Sequence, residues 1–364
     1  MLKKALVLLI SIIALTSCAS NEANKINTTN ETSTTNESST TKELEKYQNQ
    51  IYDTFDTVIT FTTYQEKSSD FEKYAKIVKD EFERYNKLFD NYKSYNGINN
   101  IYTINENAGE KEVEVDPEII EILELSKEYY DKTDGDVNVA LGSVLEIWHN
   151  YREDAIANPD NAKIPTNEEL ENANKHTNID DIVIDKKKSS VFIKDKGTKI
   201  DLGAIAKGFA TEKVRKKLED AGMKNGIISA GGNVVTIGEN PSSDDGMWKI
   251  AIKNPNEESE ENYANVLELK EAAIVTSGDY QRFYEYNGKR YNHIVDPKTL
   301  MPAENFTSVT IITDNSARAD ALSTALFIKT EEDGKKLIEK EKADALWIDK
   351  DYNQTKTDTL NTQR

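Results

Sequence analysis

The stretch from Ile200 to Ile237, IDLGAIAKGFATEKVRKKLEDAGMKNGIISAGGNVVTI, decides the architecture. A short apolar approach, Ile200 to Leu202, reads as the end of a strand and meets Gly203. A helix follows from about Ala204 to Leu218 and stops before Gly222. Two strand-like runs then come in quick succession, Gly226 to Ile228 and Val234 to Ile237, around Gly231-Gly232. A helix followed by adjoining strands is not the regular alternation that builds a doubly wound parallel sheet. The class it points to is α+β, mixed sheets with packed helices.

The flanks agree. Upstream, Tyr52 to Tyr64 reads as one strand, and Phe71 to Phe89 repeats apolar residues at helical spacing. Asp90 to Asn100 is a polar loop. Asp116-Pro117 opens a helix through about Tyr130, with Pro117 at a first helical position. A less periodic apolar stretch ends in Trp148-His149. Residues 150 to 180 are a polar excursion with a short helix after Pro165-Thr166, and Ile182 to Lys194 is a hairpin around Lys186-Lys187-Lys188. Downstream, strands are expected at Trp248 to Ile252, Asn265 to Leu269, Ala272 to Val275, Tyr291 to Val295, Ser308 to Ile312 and Ala345 to Ile348. Ser316 to Phe327 and Gly334 to Lys342 are helical. The folded part is expected over residues 43–350, with room for two lobes around a central site, and residues 351–364 as a frayed polar tail.

Composition narrows the function. The 364 residues can bury a large core. With 65 Asp+Glu against 46 Lys+Arg, a net charge of -19, the chain lacks the basic surface of a general nucleic-acid binder. One Cys excludes a disulfide scaffold and any multi-cysteine zinc or iron–sulfur site, and three scattered His argue against a multi-histidine zinc site. Residues 1–17, with Lys3-Lys4 and an apolar run from Ala5 to Leu15, have the form of an export signal and are too short to cross a bilayer. Leu15-Thr16-Ser17-Cys18 resembles the bacterial lipobox. That resemblance implies a mature chain beginning at a lipid-bearing Cys18, with residues 18–42 as a disordered tether and several acyl chains as the anchor. A secreted protein with an incidental Cys18 is the other reading.

Four constellations carry chemistry. Asp201 to Ala210 places small residues Gly203, Ala204 and Ala206 and the charge of Lys207 at a helix start, which suits an anion, or else only tight packing. Ser229-Ala230-Gly231-Gly232-Asn233 can cradle phosphate with backbone amides, or be a plain Gly-Gly turn. Thr276-Ser277-Gly278-Asp279 stands with His293-Ile294-Val295-Asp296-Pro297, where His293 can accept a proton or serve as a structural donor. Asp320 and Thr324 lie one helical turn apart and offer hard oxygens suited to Mg²⁺, or the pair is incidental.

In order and wording these pieces resemble the bacterial ApbE-type flavin transferases, the FAD:protein FMN transferases. The likeness runs from Thr54-Phe55-Asp56-Thr57 to about Leu346. The chain departs from the family at Asn96-Gly97-Ile98-Asn99, at Val137 and Asn138 where Phe and Asp are usual, and at Leu300 in place of Gly. The resemblance implies Mg²⁺ held by the Ala204 carbonyl, Asp320 and Thr324. It implies FAD bound by Lys207, Ser229, Gly231, Gly232, Asn233, Thr276, Ser277 and Gly278. Asp279 or His293 would remove a proton, and surrounding carboxylates are expected to raise the imidazole pKa. The reaction implied moves FMN from FAD to a Thr or Ser hydroxyl of an extracytoplasmic acceptor, in a Ser/Thr-Gly-Ala-Thr-like sequence, and releases AMP. A Mg²⁺-dependent FAD pyrophosphatase, a non-catalytic FAD-binding lipoprotein and a plain ligand-binding lipoprotein are the alternatives.

Overall fold

The computed structural model describes residues 44–362. The export signal, Cys18 and the tether lie outside the described residues. The chain opens with β1 (Glu45–Thr54) and β2 (Thr57–Gln65), an antiparallel hairpin, where one strand over Tyr52–Tyr64 was expected. The break falls at Asp53, Phe55 and Asp56, all with positive φ near 50–60°. β1 had no readable alternation because it is an exposed, polar strand that buries little beyond Ile51 and Thr54.

Next come α1 (Ser68–Phe89), the short α2 (Ile101–Glu106) and β3 (Val113–Glu114). α3 (Pro117–Lys132) starts where expected, with the Asp116 side chain accepting from Glu118 N–H. The weakly periodic stretch is a helix, α4 (Gly142–Ala157). It starts without a side-chain cap, on a glycine whose Cβ would stand 2.5 Å from the Lys199 carbonyl oxygen. α5 (Asn167–Asn174) is opened by a Thr166/Glu169 capping box. β4 (Ile182–Asp185) and β5 (Ser190–Ile193) form the expected hairpin, which β3 joins. α6 (Ala206–Asp220), β6 (Gly226–Ala230) and β7 (Asn233–Ile237) follow, and β6 and β7 are joined by Gly231-Gly232 alone. β8 (Trp248–Lys253) and β9 (Tyr263–Leu269) make a separate hairpin.

β10 (Ala273–Gly278), β11 (Phe283–Tyr286) and β12 (Lys289–Asn292) lead to β13 (Ser308–Thr313). The strand expected over Tyr291–Val295 ends at Asn292, so His293 leaves the hairpin rather than lying within it. α7 (Ser316–Ile328) and α8 (Glu331–Glu341) precede β14 (Asp344–Ile348). The tail is not frayed over its described part: β15 (Gln354–Lys356) pairs with β14, and α9 (Asp358–Thr362) buries Leu360.

Eight strands form one antiparallel sheet in the order β1-β2-β6-β7-β10-β13-β14-β15. Alternation sends Val275, Ile311 and Trp347 to the helical side, where α1, α6 and α7 pack. Ile274, Ile312 and Leu346 face the other way, onto Trp248, Ile250 and Ile252 of the β8–β9 hairpin. Both faces of the central strands are therefore covered, which is why β13 is an almost unbroken buried run. A third apolar cluster joins α4 (Val144, Trp148) to Tyr284, Tyr291, Val295 and Leu300. The described residues 44–362 belong to one compact unit rather than two lobes.

Candidate active site

The site begins where α6 and α7 cross. A Cβ on Gly208 would overlap the Ser316 carbonyl and stand 2.5 Å from the Asp320 Cβ, so glycine is what permits the approach. The Gly208 N–H donates to Asp320 Oδ2 at 2.7 Å. In an unbroken helical ladder that amide would go to the carbonyl four residues back. Diverting it leaves the Ala204 carbonyl without that partner, in the turn just before α6. Ile205 and Ala206 N–H both donate to the Leu202 carbonyl, so the helix start holds a carboxylate rather than an open anion cradle.

Asp320 is 4% exposed, and burial raises its pKa against the opposing pull of Lys207, the Gly208 amide and the Asn233 side chain. Asn233 is buried beside it, with its amide nitrogen lacking a well-aligned acceptor. Thr324 lies one turn further along α7. The oxygens of Asp320, Thr324 and Ala204 are the hard, small set that Mg²⁺ accepts when ligand oxygens and water complete its shell. Among the described residues no group of three or more His, Cys, Asp or Glu is gathered for a metal. The set here fits the lighter, oxygen-loving cation and not zinc.

Gly231 and Gly232, with φ of 55° and 98°, form the two-residue hairpin turn that the plain structural reading foresaw. A Cβ on Gly231 would come 2.8 Å from the Thr57 Cβ, so the turn seats against β2 while delivering Asn233 to Asp320. Ser277 faces α7: its Oγ lies 2.8 Å from Ser323 Oγ, which donates to the Asp320 carbonyl at 2.9 Å. Thr276 shares its face with Ile274, away from α7, and its hydroxyl meets Thr310 at 2.8 Å. Ser229 alternates with Ile228 and Ala230 of the helical-side core and is likewise turned from Asp320. Gly278 ends β10 with the Tyr280 ring where a Cβ would stand, 2.6 Å away.

His293 directly follows β12. Its N–H and its Nδ1 both lie on the Arg282 carbonyl, at 3.1 and 3.2 Å. A carbonyl only accepts, so Nδ1 carries the proton and Nε2 keeps its lone pair. Burial first, then the charges of Arg282, Lys207 and Arg152, push the imidazole down to about 3. The expectation of a raised value is corrected: cations surround this ring. Lys207 acts on both His293 and Asp320, which joins the two halves of the site. Asp279 is buried, with Oδ2 2.7 Å from Lys350 Nζ and Oδ1 3.3 Å from Arg290 Nη1.

Sequence reading missed Arg282, Arg152, His149 and Tyr92. Arg282 donates to the Phe55 carbonyl at 3.3 Å and approaches Asp56 at 3.9 Å, fastening the positive-φ turn of the β1–β2 hairpin beside His293. Arg152 donates to His149 Nδ1 at 2.8 Å, and the His149 ring lies 4.8 Å from that of Tyr92. Arg282, three residues after Asp279, was within reach of a motif-based reading. The others lie on α4 and a loop far away in sequence.

The model of the ApbE family matches residues 55–347. The chain belongs to the ApbE family. An FAD:protein FMN transferase from Klebsiella pneumoniae is 31% identical over 253 residues, 69% of this chain and 75% of that protein. One from Haemophilus influenzae is 32% identical over 231 residues, 63% of this chain and 65% of that protein. The crystal structure of an ApbE protein from Thermotoga maritima superposes with a TM-score of 0.76 at 29% identity, over 88% of this chain and all of that one. The ApbE match begins at the β1–β2 turn and ends in β14, so it contains every side chain gathered around Asp320 and His293.

Proposed function

We propose that this chain transfers FMN from FAD to a hydroxyl of an acceptor protein and releases AMP. The observation that carries the reading is the diverted Gly208 amide. It fixes the buried Asp320 carboxylate at a helix start, in place of the Ala204 carbonyl as the partner of that amide and under the pull of the Lys207 charge. Asp320, Thr324 and the Ala204 carbonyl would hold Mg²⁺, which when bound supplies charge neutralisation to the diphosphate.

The rest falls to the chain's own groups. Lys207 and Arg282 present positive charge to the phosphoryl oxygens, and the cations around His293 suit an anionic substrate in a protein of net charge -19. His293 Nε2 takes the hydroxyl proton of the acceptor Thr or Ser. That oxygen forms a bond to the FMN phosphorus, the bond to the bridging oxygen breaks, and AMP departs with the bridging oxygen. A ring pushed down by cations is a poor base alone, and the entering negative charge of the substrate offsets that effect.

The acceptor sequence is proposed to be Ser/Thr-Gly-Ala-Thr-like, in a protein outside the cytoplasm, with Cys18 lipid anchoring the enzyme to the cell membrane. The test mixes the protein, FAD, Mg²⁺ and a Thr-containing acceptor. Intact-mass analysis should find one FMN adduct together with AMP. Free FMN without adduct would mark a pyrophosphatase, and absence of AMP would mark a flavin-binding protein.

A further inference from the structure

Asp279 sits in the sequence motif of the transfer site, yet each of its carboxylate oxygens already accepts from a cation, Lys350 at 2.7 Å and Arg290 at 3.3 Å. A general base needs a lone pair aimed at the substrate hydroxyl. These two contacts lead elsewhere. Arg290 lies on β12, its guanidinium 4.2 Å from the Phe283 ring of β11, so it grips both strands of that hairpin. The hairpin begins just after Arg282 and ends just before His293, and the Arg282 carbonyl closes its base on His293. Lys350 lies on the turn between β14 and β15, three residues beyond the end of the family match at 347. The same turn is pinned to the main sheet: Thr307 N–H donates to the Ile348 carbonyl, Thr307 Oγ1 to the Asp349 carbonyl at 3.0 Å, and Asp279 N–H to the Thr307 carbonyl.

We propose that Lys350, Asp279 and Arg290 form an ionic clamp that fixes the β11–β12 hairpin, and through it His293, against the C-terminal edge of the main sheet. Asp279 and Lys350 are then positioning residues, and the proton passes to His293. The clamp brings a residue from outside the family-matched span into the placement of the transfer site. Asp279 is buried and Lys350 half-exposed, so the pair is better shielded than a surface salt bridge and its geometry is set from both sides. Losing one partner leaves the other cation to hold the hairpin alone. Misplacement of a reacting group by about 1 Å costs on the order of a hundredfold in rate.

This inference rests on the FMN-transfer reading, and one experiment separates the two. AMP release and acceptor flavinylation are measured with FAD and Mg²⁺ for the unaltered chain, Lys350→Met, Lys350→Arg, Asp279→Asn and the Asp279→Asn/Lys350→Met double variant. No AMP from the unaltered chain would refute the functional reading itself. With that activity present, the clamp predicts losses in kcat of about ten- to a hundredfold for Lys350→Met and Asp279→Asn. KM for FAD should stay within about twofold, the double variant should be no slower than the slower single one, and Lys350→Arg should recover most of the rate. The Lys350→Met change should also shift the His293 ring resonances, a readout independent of turnover. Normal turnover in Lys350→Met with loss beyond about a thousandfold in Asp279→Asn would make Asp279 the base and overturn the clamp. Multiplying losses, or an unmoved His293 spectrum in folded Lys350→Met, would overturn it equally.

Discussion

Asp320 and His293 approach the same charge, that of Lys207, from opposite supports. Asp320 stands on α7 among Ala319, Ala321 and Leu322, all with no exposure, where a glycine-lined helix crossing sets its position. His293 hangs from a two-stranded hairpin held by Arg290, Lys350 and the Arg282 carbonyl. The Asp320 side is built by close packing, which has few alternatives. The His293 side is built from ion pairs and hydrogen bonds around a two-stranded hairpin.

The sharpest way to break this contrast is to delete the carboxylate. Asp320→Ala should lower Mg²⁺-dependent AMP release on the order of a thousandfold, as loss of a principal transition-state stabiliser does. The far-ultraviolet spectrum should persist. Normal rates across a Mg²⁺ titration would remove Asp320 from the site.

Glycine substitutions compare the two supports directly. Gly208→Ala should cost about 1–3 kcal/mol in denaturant unfolding, the range for overpacking a close crossing, because the Ser316 carbonyl is backbone and cannot swing aside. At the hairpin tip, Gly288 has φ of 74° and nothing within 4 Å of the place a Cβ would take. Gly288→Ala should therefore cost only about 1–2 kcal/mol, from backbone strain alone. A larger cost at Gly288 than at Gly208 would contradict the difference in packing.

Asn315 caps α7 by accepting from Arg318 N–H at 3.0 Å. Asn315→Ala should cost about 1 kcal/mol in stability while leaving the transfer site in place. A separate test is read by proton titration. His293 is pushed down in the folded protein, to about 3, from an ordinary 6.5. The unfolded chain therefore binds more protons between those values. Its contribution to stability is fully present above the ordinary value and is lost as pH falls towards 3. The ring resonance of the free protein should stay neutral through pH 5, and a midpoint near the ordinary value would show that the cations do not converge on it.

The elements of the C-terminal half were legible where their signals lie in short runs: the Gly231-Gly232 turn and the helices α6 and α7 read from neighbouring residues. The helices with caps were equally plain, as at Asp116-Pro117 and Thr166. What failed had its cause in tertiary contact. β1 and β15 are edge strands whose outward side chains meet water, so no alternation marks them. α4 was hidden because Gly142 replaces a cap with a close backbone approach to Lys199. The imidazole environment was misjudged because acidic residues dominate the composition while Arg152, Arg282 and Lys207 converge only after folding. Ser229 and Thr276 were assigned by motif, but strand alternation turns them to the other side of the sheet.

The amide of Gly208 belongs at once to the start of a helix and to the carboxylate expected to meet a cation. Its proton should therefore report occupancy without any substrate, since a divalent ion drawing on Asp320 would weaken that bond. Following one backbone resonance, or the hydrogen–deuterium exchange of one peptide across this turn, would turn the fold itself into a gauge of metal loading.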